Sequence, residues 1–181
     1  LELTPSKVIG VTGSDGKTTT TTLISKVLEA GGYKVFLGGN IGFPLFTKIS
    51  EMTPEDFVVL ELSSFQLMNM KISPTISVIT NITPNHLNIH SSMEEYVEAK
   101  QNIFLHQEPE DLVILNYDNE ITRECGKIAK SRVVYFSSKE KLENGYIVDD
   151  DKIKYCQNGL RSHILDTKNI ILRGKHNAEN I

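Results

Sequence analysis

Six apolar, β-branched runs punctuate this chain, and they constrain its fold more than any other feature. They are Lys7–Thr12 (KVIGVT), Tyr33–Leu37 (YKVFL), Phe57–Leu62 (FVVLEL), Ile76–Ile82 (ISVITNI), Leu112–Leu115 with Asn116, and Arg132–Phe136. Within each run apolar residues follow one another instead of alternating with polar ones. That pattern belongs to strands buried on both faces. Helical patterns lie between the runs. Lys17–Gly31 carries Leu23, Val27, Leu28 and Ala30 at helical spacing and ends at Gly31-Gly32. Ser92–His106 and Glu120–Lys130 are two further helices. Strands that alternate with helices make right-handed crossovers and a parallel sheet. The expected class is α/β, a mostly parallel P-loop-type sheet flanked by helices.

The texture changes from Glu143 onward. Gly145–Val148 and Lys152–Cys156 flank Asp149-Asp150-Asp151, which reads as a hairpin with an acidic turn. A second short strand pair is expected at His163–Leu165 and Ile170–Leu172. Together they form a small antiparallel β appendage over 143–173. The acidic triplet lacks the spaced ligand set of a calcium loop, so a solvated turn is the better reading.

Composition excludes several classes. With 19 basic and 23 acidic side chains among 181 residues, the net charge is −4, which argues against nucleic acid as a partner. No apolar stretch is long enough to span a membrane. Two cysteines, Cys125 and Cys156, are too few for a disulfide framework and show no metal spacing. A reducing, cytoplasmic setting is expected. Size suggests one domain. The chain starts at Leu1 and stops at Ile181 inside an unfinished pattern, so a piece of a longer protein is expected.

The chemistry starts at Val11-Thr12-Gly13-Ser14-Asp15-Gly16-Lys17-Thr18-Thr19, between the first strand and the first helix. A Gly-rich turn there lets successive backbone N–H groups face phosphate oxygens, and the helix N-terminus adds partial positive charge. Lys17 is placed to reach the outer phosphates and the Thr18 hydroxyl to ligate Mg²⁺. The generic pattern wants a glycine where Val11 stands, so that match is incomplete. Thr18 to Thr22 are five poor helix formers in a row, a local conflict that points to hydroxyls with a task.

Ligands of a parallel sheet bind beyond the carboxyl ends of its strands. Gly38-Gly39-Asn40-Ile41-Gly42, Glu61-Leu62-Ser63-Ser64-Phe65-Gln66, and Asn81 with His86 all fall on the edge of the phosphate loop. Glu61 ends a buried apolar strand, which is costly unless it meets a cation or caps a helix. His86 is either a structural histidine or a ligand. Lys100 interrupts an apolar helical stripe of Met93, Tyr96, Val97, Ile103 and Phe104. It either snorkels to the surface or is desolvated with a lowered pKa, and a neutral amine can take up CO₂ as a carbamate.

These motifs resemble the Mur ligases, ATP-dependent amide-bond-forming enzymes of peptidoglycan precursor synthesis. The family's Gly-Thr-x-Gly-Lys-Thr/Ser loop stands here as Gly13-Ser14-Asp15-Gly16-Lys17-Thr18. Glu-Leu-Ser-Ser-Phe-Gln-Leu at 61–67 is similar to the D-glutamate-adding branch, as are Gly39-Asn40-Ile41-Gly42, Asn81–Leu87 and Tyr96-Val97-Glu98-Ala99-Lys100. Gly174-Lys175-His176-Asn177 with Asn180 matches a further family segment. The resemblance runs from about Lys7 to Ile181.

The resemblance implies roles. Gly13, Ser14, Asp15, Gly16, Lys17, Thr18 and Thr19 hold the ATP phosphates, and Asn177 and Asn180 face the ATP. Thr18 and Glu61 hold one Mg²⁺, while His86 and a carbamylated Lys100 serve a second. Asn40, Ser63, Gln66 and His86 contact a nucleotide-sugar substrate. Lys17, His86 and Lys100 form the catalytic set. The implied reaction adds D-glutamate to UDP-N-acetylmuramoyl-L-alanine through an acyl phosphate. Asn88 departs from the family, which commonly has Asp there. The resemblance covers an ATP-binding central domain, with the UDP-binding and C-terminal domains as partners in the same chain. The 181 residues alone are expected to be inactive and to leave an apolar surface open. Two other readings remain: a Mur-type or folylpolyglutamate-type ligase with a different acceptor, and a P-loop nucleotide-binding module that ligates nothing.

Overall fold

A computed structural model describes residues 1–42, 44–84 and 90–169. Its centre is a single sheet of nine strands. In chain order these are β1 (Lys7–Thr12), β2 (Val35–Gly39), β3 (Phe57–Glu61), β4 (Ile76–Ile79), β5 (Leu112–Asn116), β6 (Arg132–Ser137), β7 (Gly145–Asp149), β8 (Lys152–Gln157) and β9 (Leu160–Asp166). Four α-helices connect them: α1 (Lys17–Ala30), α2 (Ser64–Leu67), α3 (Met93–Gln101) and α4 (Glu120–Ile128).

The spatial order is β2-β3-β1-β4-β5-β6-β7-β8-β9. From β2 to β7 every pairing is parallel, and β7–β8 and β8–β9 are antiparallel. The chain leaves β1 toward β2 and β3 on one side, then returns to β4 on the other. The loop after β1 therefore sits where the strand order reverses, the usual ligand crevice of such sheets. Five of the six β1 residues are buried, as the uninterrupted apolar run requires. The main core joins Ile79, Leu115 and Val113 of the sheet to Tyr96, Ile103 and Phe104 of the α3 segment.

Several boundaries differ from the sequence reading. The second strand starts at Val35, because Gly31-Gly32 make the turn that closes α1 and Tyr33 N–H still donates back to the Leu28 carbonyl at 3.1 Å. It runs on through two glycines to Gly39. A Cβ at Gly39 would lie 2.1 Å from the Glu61 carbonyl oxygen, so only glycine lets β2 stay paired there. The helix expected to reach His106 ends at Gln101 and continues as turns. His163–Leu165 belongs to β9, which pairs with β8; Ile170–Leu172 lies outside the described residues. The antiparallel strands also extend the main sheet, since Phe136 and Ser137 pair with Tyr146 and Ile147. The acidic turn is a tight one, with Asp150 and Asp151 at φ 50° and 56°, as a two-residue hairpin demands. No helix among the described residues is long and apolar enough to cross a membrane. Both cysteines are free and buried.

Candidate functional site

The loop from Gly13 to Gly16 is held from below by the end of β4. Ser14 N–H donates to the Asn81 carbonyl at 2.8 Å, and Asp15 N–H donates to Asn81 Oδ1 at 3.0 Å. The Thr80 hydroxyl donates to the Asp15 carbonyl at 2.6 Å, and the Asn81 amide donates to the same oxygen at 3.1 Å. The buried Ser14 hydroxyl accepts from Thr83 N–H at 2.9 Å and lies 3.1 Å from the Tyr96 hydroxyl. The loop is thus fixed before any ligand arrives, which lowers the entropy cost of binding. Gly13 packs directly on Thr80: a Cβ there would lie 1.9 Å from the Thr80 hydroxyl oxygen. Gly13→Ala is expected to lose about 1–3 kcal/mol of stability, checked by denaturant unfolding, because loop and strand must move apart.

Glu61 ends β3 and is 2% exposed. Its carboxylate accepts from the Thr18 hydroxyl at 2.7 Å and from the Asn40 amide at 3.0 Å. Both donors are side chains rather than the backbone N–H groups that a helix cap would satisfy, and both are neutral, so the demand for a cation stands. Among the described residues, no three His, Cys, Asp or Glu side chains come together. A Mg²⁺ here fits the donor set, because magnesium is commonly held by one or two protein oxygens plus phosphate and water.

Lys17 Nζ donates to the Gly13 and Ser14 carbonyls at 3.0 and 2.9 Å. It lies folded over the loop that it is expected to serve. The threonine run is explained in part: Thr18 reaches Glu61, while Thr21 is buried and donates back to the Lys17 carbonyl at 2.7 Å. That back-bond satisfies a hydroxyl inside a helix.

Lys100 does not snorkel. It is 1% exposed, and its ammonium donates to the Gly13 carbonyl at 2.9 Å and to the Thr12 hydroxyl at 3.3 Å. The Tyr96 ring lies 4.6 Å beneath it. Burial, and then the nearby Lys17 charge, lower its pKa from 10.5 to about 7. The amine is therefore partly neutral at physiological pH.

Gly13, Lys17, Asn40, Ser63, Tyr96 and Lys100 line one cavity of about 240 Å³, together with Ser64 and Phe65. Ser63 and Gln66 meet in a capping box at the start of α2. His86, Asn88, Asn177 and Asn180 lie outside the described residues. Tyr96, which the sequence marked only as part of the apolar stripe, lines this cavity beneath Lys100. Its signal was the i,i+4 spacing to Lys100, which puts ring and ammonium together on one helix face. A larger cavity of about 420 Å³ lies along Leu23, Ile24, Val27 and Leu28 of α1, and its lining holds no charged side chain.

The Mur ligase middle domain family matches residues 11–181. The UDP-N-acetylmuramoylalanine–D-glutamate ligase of Acetivibrio thermocellus is 54% identical over 179 residues, covering 99% of this chain and 38% of that protein. The protein of the same name from Clostridium novyi is 53% identical over 177 residues, with 98% and 38% covered. The chain therefore spans about 38% of the length of these relatives. Among solved structures, a UDP-N-acetylmuramoyl-L-alanyl-D-glutamate–2,6-diaminopimelate ligase shares the fold with a TM-score of 0.74 at 20% identity, over 97% of this chain and 41% of that one. Fold, phosphate-loop geometry and a family match over nearly the whole length agree: this chain belongs to the Mur ligase middle-domain family.

Proposed function

We propose that this chain is the ATP-binding core of a ligase that adds D-glutamate to UDP-N-acetylmuramoyl-L-alanine. One observation carries the reading. Two lysine side chains and the Glu61–Thr18–Asn40 cluster converge on the phosphate loop. A nucleotide switch needs the loop and Glu61 but has no use for a second, buried lysine. A carboxylate that attacks a phosphate must approach against like charge, and Lys17, with the Mg²⁺ that Thr18, Glu61 and a carbamylated Lys100 would help to hold, offsets that repulsion.

The terminal carboxylate of UDP-N-acetylmuramoyl-L-alanine attacks the γ-phosphorus of ATP, and ADP leaves. The D-glutamate amine then attacks the acyl carbon, an amide forms, and phosphate leaves with a proton lost from the amine. The protein's own part is positioning and charge neutralisation. Loop N–H groups hold the β- and γ-phosphates. Lys17 turns from the Gly13 and Ser14 carbonyls to the phosphates. Asn40, Ser63, Gln66 and His86 orient the nucleotide sugar, and Asn177 and Asn180 hold the ATP. Thr18 and Glu61 hold one Mg²⁺, and His86 and Lys100 serve a second, which supply Lewis-acid neutralisation of phosphate charge.

Lys100 bears its negative charge as a carbamate. Its neutral Nζ attacks the carbon of CO₂, an N–C bond forms, and one proton is released. The amine's pKa of about 7 makes this attack feasible at physiological pH.

The experiment is ADP release by the full-length ligase over a panel of amino acids. D-glutamate is expected to support it alone. Equal rates with another acceptor would reassign the substrate within the family. The 181-residue chain by itself is expected to bind ATP weakly and to release no ADP under the same assay, since the grip on the UDP and the amino-acid site belong to other domains. Acceptor-dependent ADP release by that chain would contradict this division of labour.

A further inference from the structure

His90 stands just before α3, and nothing above gives it a task. It is 2% exposed. Its Nε2 lies 2.9 Å from the hydroxyl oxygen of Ser64. Its ring stacks on Phe65 with centroids 5.0 Å apart and an interplanar angle of 14°. The Tyr96 ring meets it edge-on, with centroids 5.1 Å apart. Its Nδ1 is buried and has no hydrogen-bond partner.

That bare nitrogen fixes the direction of the Ser64 bond. A neutral imidazole carries one N–H. With the proton on Nδ1, a buried donor goes unpaired, and an imidazolium leaves the same N–H unpaired. With the proton on Nε2, only a lone pair is bare, and unpaired acceptors are tolerated better than unpaired donors. His90 Nε2–H therefore donates and the Ser64 oxygen accepts. The Ser64 hydroxyl proton is then left for another acceptor, and among the described residues no protein atom is bonded to it. Ser64 lines the cavity that Lys17 and Lys100 also line.

We propose that Ser64 donates its hydroxyl to an anionic oxygen bound in this cavity, and that His90 is the positioning residue that makes it a donor. The Lys17 ammonium in the lining sets the sign of the ligand, a carboxylate or a phosphoryl group. The proposal rests on the ligase reading above.

The test is steady-state kinetics of the full-length ligase with Ser64→Ala, His90→Phe, His90→Gln, His90→Asn and the Ser64→Ala/His90→Phe pair. Ser64→Ala is expected to lower kcat/KM by about tenfold to a hundredfold, the loss of one hydrogen bond to a charged group. A raised KM for the sugar nucleotide identifies the oxygen as carboxylate; a raised KM for ATP identifies it as phosphoryl. His90→Phe keeps the stacking and loses the N–H, so it is expected to match Ser64→Ala, with the pair no worse than either. His90→Gln places an amide N–H near the Nε2 position and is expected to recover most of the rate. His90→Asn, whose amide reaches only the Nδ1 position, is not. A merely structural His90 would instead make the activities of all four variants that lack His90 follow their melting temperatures. Wild-type kinetics for Ser64→Ala, additive losses in the pair, or a folded His90→Gln as impaired as His90→Phe would each overturn the proposal. Ser64→Ala removes a single oxygen, so it reads out even if His90→Phe fails to fold. An inactive wild-type ligase would overturn the ligase reading itself, whereas an active one with a silent Ser64→Ala overturns this inference alone.

Discussion

Lys100→Met is expected to damage activity and strengthen the fold at the same time. In the full-length ligase it should lower the rate of ADP release by about a hundredfold or more, the scale for losing one preorganised charge at a reacting centre. In the 181-residue chain, without nucleotide, Mg²⁺ or bicarbonate, it should raise stability at pH 6 by about 2–4 kcal/mol, because a buried charge with only neutral partners is replaced by an apolar chain of similar length. The pH dependence has a definite sign. Lys100 has a pKa of about 7 folded and 10.5 unfolded. Below pH 7 both states hold the proton, and the folded state bears the full burial penalty. Between pH 7 and 10.5 the unfolded chain holds a proton that the folded chain has released, so wild-type stability rises with pH. The advantage of Lys100→Met should therefore be largest below pH 7 and fade toward pH 10.5. Urea unfolding at pH 6, 8 and 10 reads this directly. Equal stabilities at pH 6, or a gap that widens with pH, would show that the amine is not desolvated.

Glu61→Gln is the second large effect. The change is isosteric and leaves an oxygen for the Thr18 hydroxyl, so the fold should persist. What goes is the negative charge that the neutral Thr18 and Asn40 donors leave unbalanced. Titration calorimetry of the wild-type chain should show ATP binding strengthened by Mg²⁺. In Glu61→Gln that strengthening should fall by about 10- to 100-fold, the loss typical when a metal site is perturbed. Undiminished Mg²⁺ dependence in Glu61→Gln would move the cation away from β3.

The parallel part of this fold was legible because burial on both faces leaves an unbroken apolar run, and β1, β3 and β5 show it plainly. The edges were less so. β2 runs through Gly38-Gly39, which carry no side chain to signal a strand; both pair with β3, and at Gly39 the close approach to the Glu61 carbonyl leaves no room for a side chain. β9 was half seen. Its turn, Asn158-Gly159 at φ 50° and 78°, is a strong short hairpin signal, but β9 is mostly exposed and carries little apolar patterning. In the site, Thr18, Glu61 and Lys100 were readable because each is a polar residue where a local rule calls for something else, and Asn40 because it falls at the carboxyl end of a strand on the phosphate-loop edge. Spacing alone left Lys100 open between snorkelling and burial, since nothing local says that a helix end is roofed by another loop. Tyr96, Ser64 and His90 obey their local rules, so only the tertiary contacts expose them.

The central claim is that this loop activates a carboxylate. Positional isotope exchange tests it most directly. The full-length ligase is given ATP labelled with ¹⁸O at the β,γ-bridge, with Mg²⁺ and UDP-N-acetylmuramoyl-L-alanine but no amino acid. Reversible transfer of the γ-phosphoryl group to the carboxylate predicts that the label scrambles into the β-nonbridging positions, and that scrambling stops when the sugar nucleotide is withheld. No scrambling, or ATP turnover that is indifferent to the sugar nucleotide, would contradict the account.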